Sequence, residues 1–453
     1  MNLTWSKKPV LSLLVLLLCL ALCACGGKSA QEAAPAEPGI VIGGQTLSPD
    51  TTDLTAVISA GETAQLSQLP NLHYADLSGS ENVEEIAAWA AEHPGVSVRY
   101  TVTMPDGSVL PSDTRSYDLS GASAAEALDA APALALLSGL KTVKLGSERS
   151  GLGFDTIEKL RQVLPETSFQ YSFDLYGKSC DLSGSTINLF HTPVDDNAEK
   201  VDRVMACMPQ LTYVDMDSCG VSNQRMEQLR QKYPDVKIVW RVWFGEGYSV
   251  RTDVVRILAS RPSVGGMLDN SDIEALSCCH DVRFLDLGHN KQLTDLSFVR
   301  SMPKLEVAIL AMCDWSDASP LANCPELEYL EMQSTQCGDI SPLSGLKKLR
   351  HLNMANNLGI SDITPLYSLT ELERLWIGSW TVISNEQVEE MRRRAPHCEI
   401  DTMVYDDPTA GAWRYDGDGN MTERYFILRM QFDGYKFSSY SFSRNDPLCP
   451  PQA

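Results

Sequence analysis

The chain has 453 residues and a net charge of −22, because 59 acidic side chains outnumber 37 basic ones. A surface this acidic repels DNA, RNA and anionic lipid headgroups, so the composition argues against nucleic-acid binding. The charge suits solubility outside the cell, and the chain is long enough to bury an extended core.

The first residues have the pattern of an export signal. Lys7 and Lys8 precede an apolar run from Val10 to Leu22. That run is shorter than a membrane-spanning helix and has the length of the hydrophobic region of a signal peptide. The sequence therefore predicts a chain that is directed to a membrane and exported, without a span of its own.

The run closes with Leu22-Cys-Ala-Cys25, which resembles the bacterial lipobox. The resemblance implies cleavage before Cys25 and attachment of lipid to it, which makes residues 1–25 a lipoprotein signal peptide. Residues 26–39 are rich in Gly, Ala, Ser, Pro and Glu and should form a flexible tether. We expect the protein on the extracytoplasmic face of the cell membrane, held there by acyl chains alone.

A long repeat occupies residues 40–281. Its strand motif starts at Leu72, Leu140 and Leu211 and passes into a fourth copy at Val282, so the starts lie 68, 71 and 71 residues apart. Apolar residues at i and i+3 predict helices that proline ends. These helices are expected at 85–94, 156–165, 225–234 and 387–396, each followed by an alternating strand.

A third element of the long repeat has the pattern Gly-x-x-apolar-x-x-Asp. Copies begin at Gly44, Gly107 and Gly247, and a shortened copy runs from Gly177 to Asp181. Glycine suits a tight turn, so each irregular β-α-β unit is interpreted as two elongated leucine-rich coils plus a hairpin. We favour one continuous solenoid through the long and short repeats; the alternative is a distinct N-terminal repeat domain docked on a short-repeat domain.

Residues 282–401 carry a shorter repeat, apolar-x-x-apolar-x-apolar, whose five starts lie 23, 22, 22 and 23 residues apart. That period belongs to leucine-rich repeats. Each copy predicts a short strand, and strands of successive coils should pair in parallel. Eight residues after the start stands Asn290, Cys313, Thr335 or Asn357, whose side chain can donate to backbone carbonyls at the bend.

Each short repeat continues with an acidic turn such as Asp339-Ile-Ser-Pro-Leu343. Ser or Thr followed by Pro predicts a short helix or 3₁₀ turn in which the hydroxyl caps the first turn. The block resembles the internalin-type repeats of bacterial surface proteins. The resemblance implies an α/β leucine-rich-repeat solenoid, with parallel strands on the concave face and helices or 3₁₀ turns on the convex face, and it suggests adhesion.

The last segment, residues 402–453, is rich in aromatic residues and is interpreted as a cap over the open end of the stack. Its aromatics are expected to pack in that cap and not to bind a ligand. Within it, Asp416-Gly-Asp-Gly-Asn420 resembles the start of a calcium loop, but the later ligands are missing and a polar turn is preferred. No metal ion and no cofactor are predicted.

Thirteen cysteines would permit a disulfide framework in an exported chain. The repeat register places several of them where sister repeats carry core residues: Cys279 and Cys324 align with Met302, Leu346 and Leu369. A free cysteine in such a position behaves as a small hydrophobic residue. We therefore expect mostly free thiols.

The ligand-binding site is expected on the concave face, at the outward positions between the ladder residues. Exposed aromatics flanked by charges are typical of a binding surface. The predicted site consists of Tyr213, Phe284, Tyr329, His351, Arg374 and Trp376, with Asp286, Glu331 and Asn353 beside them. Some of these residues could instead simply pack on neighbouring strands.

These features favour a lipid-anchored binding protein of a bacterial surface that recognises a protein or glycan, in adhesion or in an envelope interaction. No catalytic motif is present, so the chain is not expected to be an enzyme. Two other classes stay open. One is a structural scaffold or spacer, and the other is an enzyme with a catalytic cap around residues 416–423.

Overall fold

The computed structural model describes residues 39–261, 267–378 and 382–402, and in the last segment residues 413, 414, 418, 420, 422, 423 and 425. The predicted signal peptide, the lipidation site Cys25 and nearly all of the tether lie outside these residues. The chain divides into two compact units, Met1–Thr101 and Val102–Ala453.

The strands are short and are numbered in chain order. They are β1 (Ile40–Ile42), β2 (Gln45–Leu47), β3 (Asp53–Thr55), β4 (Tyr74–Asp76), β5 (Ser97–Arg99), β6 (Thr101–Thr103), β7 (Val109–Pro111), β8 (Ser116–Asp118), β9 (Thr142–Ser147), β10 (Ser168–Leu175), β11 (Lys178–Asp181), β12 (Thr186–Asn188), β13 (Tyr213–Asp215), β14 (Lys237–Val239), β15 (Arg241–Phe244), β16 (Tyr248–Arg251), β17 (Arg256–Leu258), β18 (Phe284–Asp286), β19 (Val307–Ile309), β20 (Tyr329–Glu331), β21 (His351–Asn353), β22 (Arg374–Trp376) and β23 (Glu399–Asp401).

Helices and 3₁₀ turns connect the strands. The helices are α1 (Val83–Glu92), α2 (Ala124–Ala135), α3 (Phe154–Val163), α4 (Glu199–Ala206), α5 (Asn223–Lys232), α6 (Asn270–Ile273) and α7 (Asn385–Arg394). The 3₁₀ turns are Thr63–Gln68, Glu148–Ser150, Glu274–Cys278, Ser297–Ser301, Ser319–Asn323, Ser341–Gly345 and Thr364–Ser368. Across the described ranges, no helix has the length and apolarity that crossing a membrane requires.

In the first unit, β3, β4 and β5 pair in parallel, and β1 and β2 form an antiparallel hairpin. Helix α1 connects β4 to β5, and its buried Ile86 and Trp89 lie on the side that faces the core. Leu72, Ala75 and Leu77 of the strand motif are buried as well. This arrangement is the β-α-β unit that the long repeat predicts.

In the second unit, the long repeats form separate small sheets. Strands β8 to β11 make one sheet in the order β11-β10-β9-β8, and β12, β13 and β14 make another. The glycine pattern marks hairpins: β10–β11 turns at Gly177 and β15–β16 at Gly247, both with positive φ. A backbone of that kind suits glycine, so the interpretation of this element is confirmed.

The short repeats form a seven-stranded parallel sheet, β17 to β23, in chain order. Leu285, Ala308, Leu330, Leu352 and Leu375 pair in register and are fully buried, so they form the predicted ladder. Strand β17 pairs with β18 across the predicted boundary at 281/282. The division into long-repeat and short-repeat domains stays a prediction.

After the first four short-repeat strands the chain bends through one residue with positive φ: His289, Met312, Ser334 and Asn356. The side chain of the next residue then forms hydrogen bonds at the bend. Asn290 Nδ2 donates to the carbonyls of Ala259 and Leu287 at 3.0 and 2.8 Å, and Cys313 Sγ lies 3.3 Å from the Leu287 carbonyl. Thr335 differs, because its hydroxyl donates to Asn357 Oδ1 and not to a carbonyl.

The return path of each short coil contains the predicted 3₁₀ turn, with proline near its start in three of them. The predicted cap is wrong, because the hydroxyl does not cap the turn. Instead, Asp339 Oδ1 accepts from the Ser341 backbone N–H at 2.8 Å, and the Ser341 hydroxyl donates to the same carboxylate. Asp295, Asp317 and Asp362 repeat this contact, so the aspartate holds the turn.

The four predicted helices are confirmed, each about two residues earlier than expected, so that they end before the proline. Helix α2 was not predicted, although Ser123 and Glu126 form a capping box at its start. The nine cysteines in the described ranges are free, and all but Cys180 are buried. Core positions are filled by the four that the repeat register assigns to them, Cys279, Cys313, Cys324 and Cys337.

Candidate binding site on the concave face

Two rows of side chains run across the concave face of the seven-stranded sheet, opposite the buried ladder. They arise because the first and third residues of each strand point to the same side. One row is Arg256, Phe284, Val307, Tyr329, His351, Arg374 and Glu399, and the other is Leu258, Asp286, Ile309, Glu331, Asn353, Trp376 and Asp401. The fold thus brings together five of the six predicted site residues, all except Tyr213.

The expectation that these side chains face solvent is wrong for four of them. Phe284, Tyr329, Arg374 and Trp376 are 3%, 7%, 4% and 1% exposed, and His351 is half-buried. The reason is that part of the C-terminal segment lies on this face. Trp413 and Tyr425 are themselves buried in one cluster with Phe284, Tyr329 and Trp376.

Glu331 lies at the centre of the site and is fully buried. Its carboxylate accepts from Trp413 Nε1 at 2.9 Å, from the Tyr329 hydroxyl and from Arg414 through two guanidinium nitrogens. Gln333 Nε2 adds a contact at 3.4 Å. A buried carboxylate needs a paired charge and several donors to offset its lost hydration, and here residues 82 and 83 positions away supply most of them.

The Trp413 indole occupies a cage formed by three side chains. Its ring centroid lies 5.0 Å from that of Trp376 and 5.6 Å from that of Tyr329. The Arg374 guanidinium lies 4.5 Å from the same centroid, within the range of a cation–π contact. An indole held between two aromatic rings and an arginine, with its N–H on a carboxylate, is bound in the manner of a ligand.

Some polar atoms in this site lack hydrogen-bond partners among the described residues. They are Gln333 Oε1, Asn353 Nδ2 and Trp376 Nε1, on residues that are at most 1% exposed. Register places Glu331, Asn353 and Trp376 side by side on three neighbouring strands. One acceptor and two donors are thus unsatisfied beside the buried carboxylate, an arrangement that proteins usually avoid in a purely structural core.

Burial and neighbouring charges shift the pKa values of three groups at the site. Burial raises the pKa of Glu331, but the charge of Arg414 and its hydrogen bonds outweigh burial and hold the pKa below the ordinary value. Burial and the neighbouring Glu331 charge raise the pKa of Tyr329, so its hydroxyl stays protonated and donates. Asp286, in the same row, has a pKa raised to about 6, mainly by burial.

Tyr213, the sixth predicted residue, belongs to a separate network in the β12–β13–β14 sheet. Its hydroxyl accepts from Arg251 Nη2 at 3.0 Å. Asp217 pairs with Arg241 through two contacts of 2.8 Å, and both side chains are buried. Arg241 and Arg251 come from the β15–β16 hairpin, so these contacts attach the hairpin to the sheet.

Sequence reasoning missed the residues that occupy the site. Arg414 carried no motif, and Trp413 was assigned to packing in a cap. Their partner Glu331 lies more than 80 residues earlier, and no local pattern reports a contact over that separation. The calcium-like turn at Asp416–Asn420 and the proposed catalytic cap lie mostly outside the described residues. In the described ranges, no group of three His, Cys, Asp or Glu is placed to hold a metal ion.

Comparison with known proteins places the chain beside bacterial leucine-rich-repeat structures. An internalin from Listeria monocytogenes is 17% identical, with 82% of this chain and 88% of that chain covered and a TM-score of 0.31. Internalin C2 from the same species is 20% identical, with 51% and 88% covered and a TM-score of 0.28. A leucine-rich-repeat protein of Leptospira interrogans is 16% identical, with 74% and 91% covered and a TM-score of 0.31.

No protein-family model matches the chain, and no curated protein matches it. With TM-scores this low, assignment of the fold rests on the chain's own strand pairing. The parallel sheet, the buried leucine ladder and the 3₁₀ return turns define an α/β leucine-rich-repeat fold.

Proposed function

We propose that this chain is a lipid-anchored binding protein of a bacterial cell envelope that recognises a protein partner through the concave face of its short repeats. One observation carries the proposal. A fully buried carboxylate, an aromatic cage and three unsatisfied polar atoms lie together on the face that leucine-rich repeats use for binding. A partner in adhesion and a partner in the bacterium's own envelope both fit this chemistry.

A protein partner suits the site better than a glycan. The aromatic rings of Tyr329 and Trp376 already hold the indole of a tryptophan from the chain itself, so the cage fits a protein side chain. The polar atoms that need partners are one acceptor and two donors, which a peptide backbone and its side chains can match. A glycan remains the alternative outcome of the binding test.

The scaffold alternative explains the site less well. A spacer protein needs a well-packed stack but gains nothing from buried polar atoms without partners, since each costs about 1–3 kcal/mol. The cost is understandable where a ligand supplies the missing bonds. This comparison favours binding over a purely structural role.

Lipid anchoring is a separate part of the proposal and has its own test. Cells that express the full chain are fed an alkyne-tagged fatty acid, and the protein is tested for the tag and for sedimentation with membranes. We expect both in the wild type and neither in Cys25→Ala. A tagged Cys25→Ala variant would move the modification elsewhere, and an untagged wild type would rule out the anchor.

The binding proposal is tested by capturing partners from envelope and host-surface extracts with the full chain. Tyr329 and Trp376 are core residues in this structure, so replacing them would confound binding with folding. Glu331→Gln keeps the shape of the side chain and removes its charge. Because this substitution also lowers stability, circular dichroism at the capture temperature first establishes that the variant is folded. The matched control, Glu326→Gln, alters a surface pair with Lys348.

We expect a protein that the wild type and Glu326→Gln retain and that Glu331→Gln loses at least tenfold. Retention by the wild type and by both variants would move the site away from this face. If none of the three proteins retains a partner, the result favours a structural scaffold over a binding protein.

A further inference from the structure

The described part of the C-terminal segment makes contacts that resemble those of a bound peptide. Trp413 fills the aromatic cage and Arg414 pairs with Glu331, so two consecutive side chains use the two main features of the site. The Trp413 carbonyl also accepts from Arg374 Nη1 at 3.5 Å. Side chain and backbone of the segment are therefore both engaged by concave-face residues.

The segment also holds itself in the bound shape. The Thr422 backbone N–H donates to the Arg414 carbonyl at 2.9 Å, and its hydroxyl donates to the Trp413 carbonyl at 3.2 Å. The Arg414 guanidinium lies 5.3 Å from the Tyr425 ring centroid. The contacts of Thr422 and Tyr425 thus hold Trp413 and Arg414 as a pre-organised pair, which lowers the entropic cost of docking.

The fit of this segment to the site is incomplete. Gln333 Oε1, Asn353 Nδ2 and Trp376 Nε1 stay without partners among the described residues while Trp413 and Arg414 are in place. A segment that supplied one donor and two acceptors in addition to the same two side chains would satisfy them. A segment that also met these three atoms would make more hydrogen bonds at this site than the chain's own segment does.

We propose that the concave face of β18–β22 is a receptor site for a protein segment in which an aromatic residue precedes arginine, and that Trp413-Arg414 occupies the site in cis until such a segment displaces it. The inference rests on the proposed function, because it names the chemistry of the partner and adds that the site is self-blocked. A tethered occupant acts at an effective concentration on the order of millimolar, so the apparent affinity for any competitor is its intrinsic affinity multiplied by the fraction of time the site is undocked.

The test measures binding of a labelled peptide to the full chain in mild detergent, by fluorescence anisotropy. The peptide has the sequence of residues 411–426, and the control peptide carries alanine in place of Trp413 and Arg414. We expect the wild type to bind the peptide weakly, because its own segment fills the site. The variant Trp413→Ala/Arg414→Ala should bind the peptide at least tenfold more tightly.

Three controls keep the result interpretable. Adding Glu331→Gln to the double variant should abolish the gain, and the alanine peptide should not bind any form. Circular dichroism and thermal unfolding report whether each variant is folded. If the double variant is not folded, Arg414→Gln alone removes the ion pair that helps to hold the segment on the site and leaves the Trp413 side chain unchanged. It carries the same expectation with a smaller gain.

The inference is overturned if the freed variant binds the peptide no more tightly than the wild type, or if Glu331→Gln leaves the gain intact. Failure of the inference differs visibly from failure of the proposed function. Partner capture that depends on Glu331, without peptide binding, would keep the function and reject self-blocking. Peptide binding without any captured partner would keep the cis contact and reject the function.

Discussion

Glu331 shows what a single residue contributes to the site. Its carboxylate is fully buried, so it loses nearly all of its hydration, and among the described residues Arg414, Trp413, Tyr329 and Gln333 replace the lost water contacts. Removing one partner of a buried ion pair usually costs more than the pair itself contributes, because the other charge stays buried and unpaired. The energetics of this face therefore depend on keeping the carboxylate and the guanidinium together.

We expect Glu331→Gln to lower the free energy of unfolding by about 3 kcal/mol, since it leaves the Arg414 charge without its partner. Urea unfolding followed by tryptophan fluorescence measures the change. Glu326→Gln is the control: its pair with Lys348 lies at the surface, where solvent screens the two charges, so its effect should be much smaller. Equal effects of the two substitutions would contradict the buried-pair interpretation.

Asp286 should make stability depend on pH. Burial raises its pKa from 3.8 to about 6, so folding favours the protonated form. The stabilisation by this group is complete below pH 3.8 and is lost as the pH rises through about 6. Asp286→Asn keeps an oxygen for the Gly288 N–H and removes the charge. It should stabilise the protein by about 1–2 kcal/mol at pH 7.5 and by almost nothing at pH 4.

Thermal unfolding of the Asp286→Asn variant and the wild type at the two pH values checks this sign. A gain of equal size at both would show that the substitution acts through packing and not through ionisation. A loss at pH 7.5 would mean that the ionised carboxylate is favoured in the folded chain, against the direction inferred from its burial.

At the scale of one element, each short coil depends on the residue that follows its bend. Asn357 is fully buried, donates to the Met332 carbonyl at 2.8 Å and accepts from the backbone N–H and the hydroxyl of Thr335. It therefore ties one coil to the next. The coil with Cys313 at this position has only weaker sulfur contacts, so the coils are not equally secured.

We expect Asn357→Ala to cost about 2–4 kcal/mol, because it removes three contacts and leaves a buried carbonyl and a backbone N–H unsatisfied. Asn323→Ala is the control, since Asn323 is exposed and makes a single 3.3 Å contact on the convex side. Hydrogen exchange should show the loss of protection first at the Thr335 N–H, which donates to Asn357 Oδ1. A uniform loss along the sheet would argue against a local tie.

The elements were predictable where a local rule decides them. The spacing of apolar residues predicts the ladder, and glycine predicts the hairpins. Proline predicts where helices α1, α3, α5 and α7 end. The prediction of the 3₁₀ cap is wrong because serine and aspartate can both cap a first turn and stand only two residues apart, and only geometry shows that Asp339 accepts from the Ser341 N–H. Helix α2 was missed although its capping box is visible in the sequence.

At the scale of the second unit, the site could be predicted only in part. The strand register places Phe284, Tyr329, His351, Arg374 and Trp376 on one face, and that follows from periodicity. Their burial does not follow from it, because the covering residues Trp413 and Arg414 lie in a segment with no repeat. Contacts between distant segments depend on the whole fold, and a single sequence does not reveal them.

The reactivity of the free cysteines toward alkylation reports how deeply each one is buried in the second unit. Burial raises the pKa of Cys219, Cys278, Cys313, Cys324, Cys337 and Cys398 to about 12. A rise of this size from 9.0 lowers the thiolate fraction at pH 8 by about 1000-fold, and the thiolate is the reactive form. Half-buried Cys180 should therefore be alkylated first in the native protein.

We expect pulse alkylation with site-resolved mass spectrometry to label Cys180 before the eight buried cysteines. As urea rises, cysteines of neighbouring coils should become reactive together, because each coil is stabilised by its neighbours. Simultaneous labelling of all nine would mean that the unit unfolds as one block. A cysteine among them that needs a reductant before it reacts would reveal a disulfide and contradict the free-thiol core.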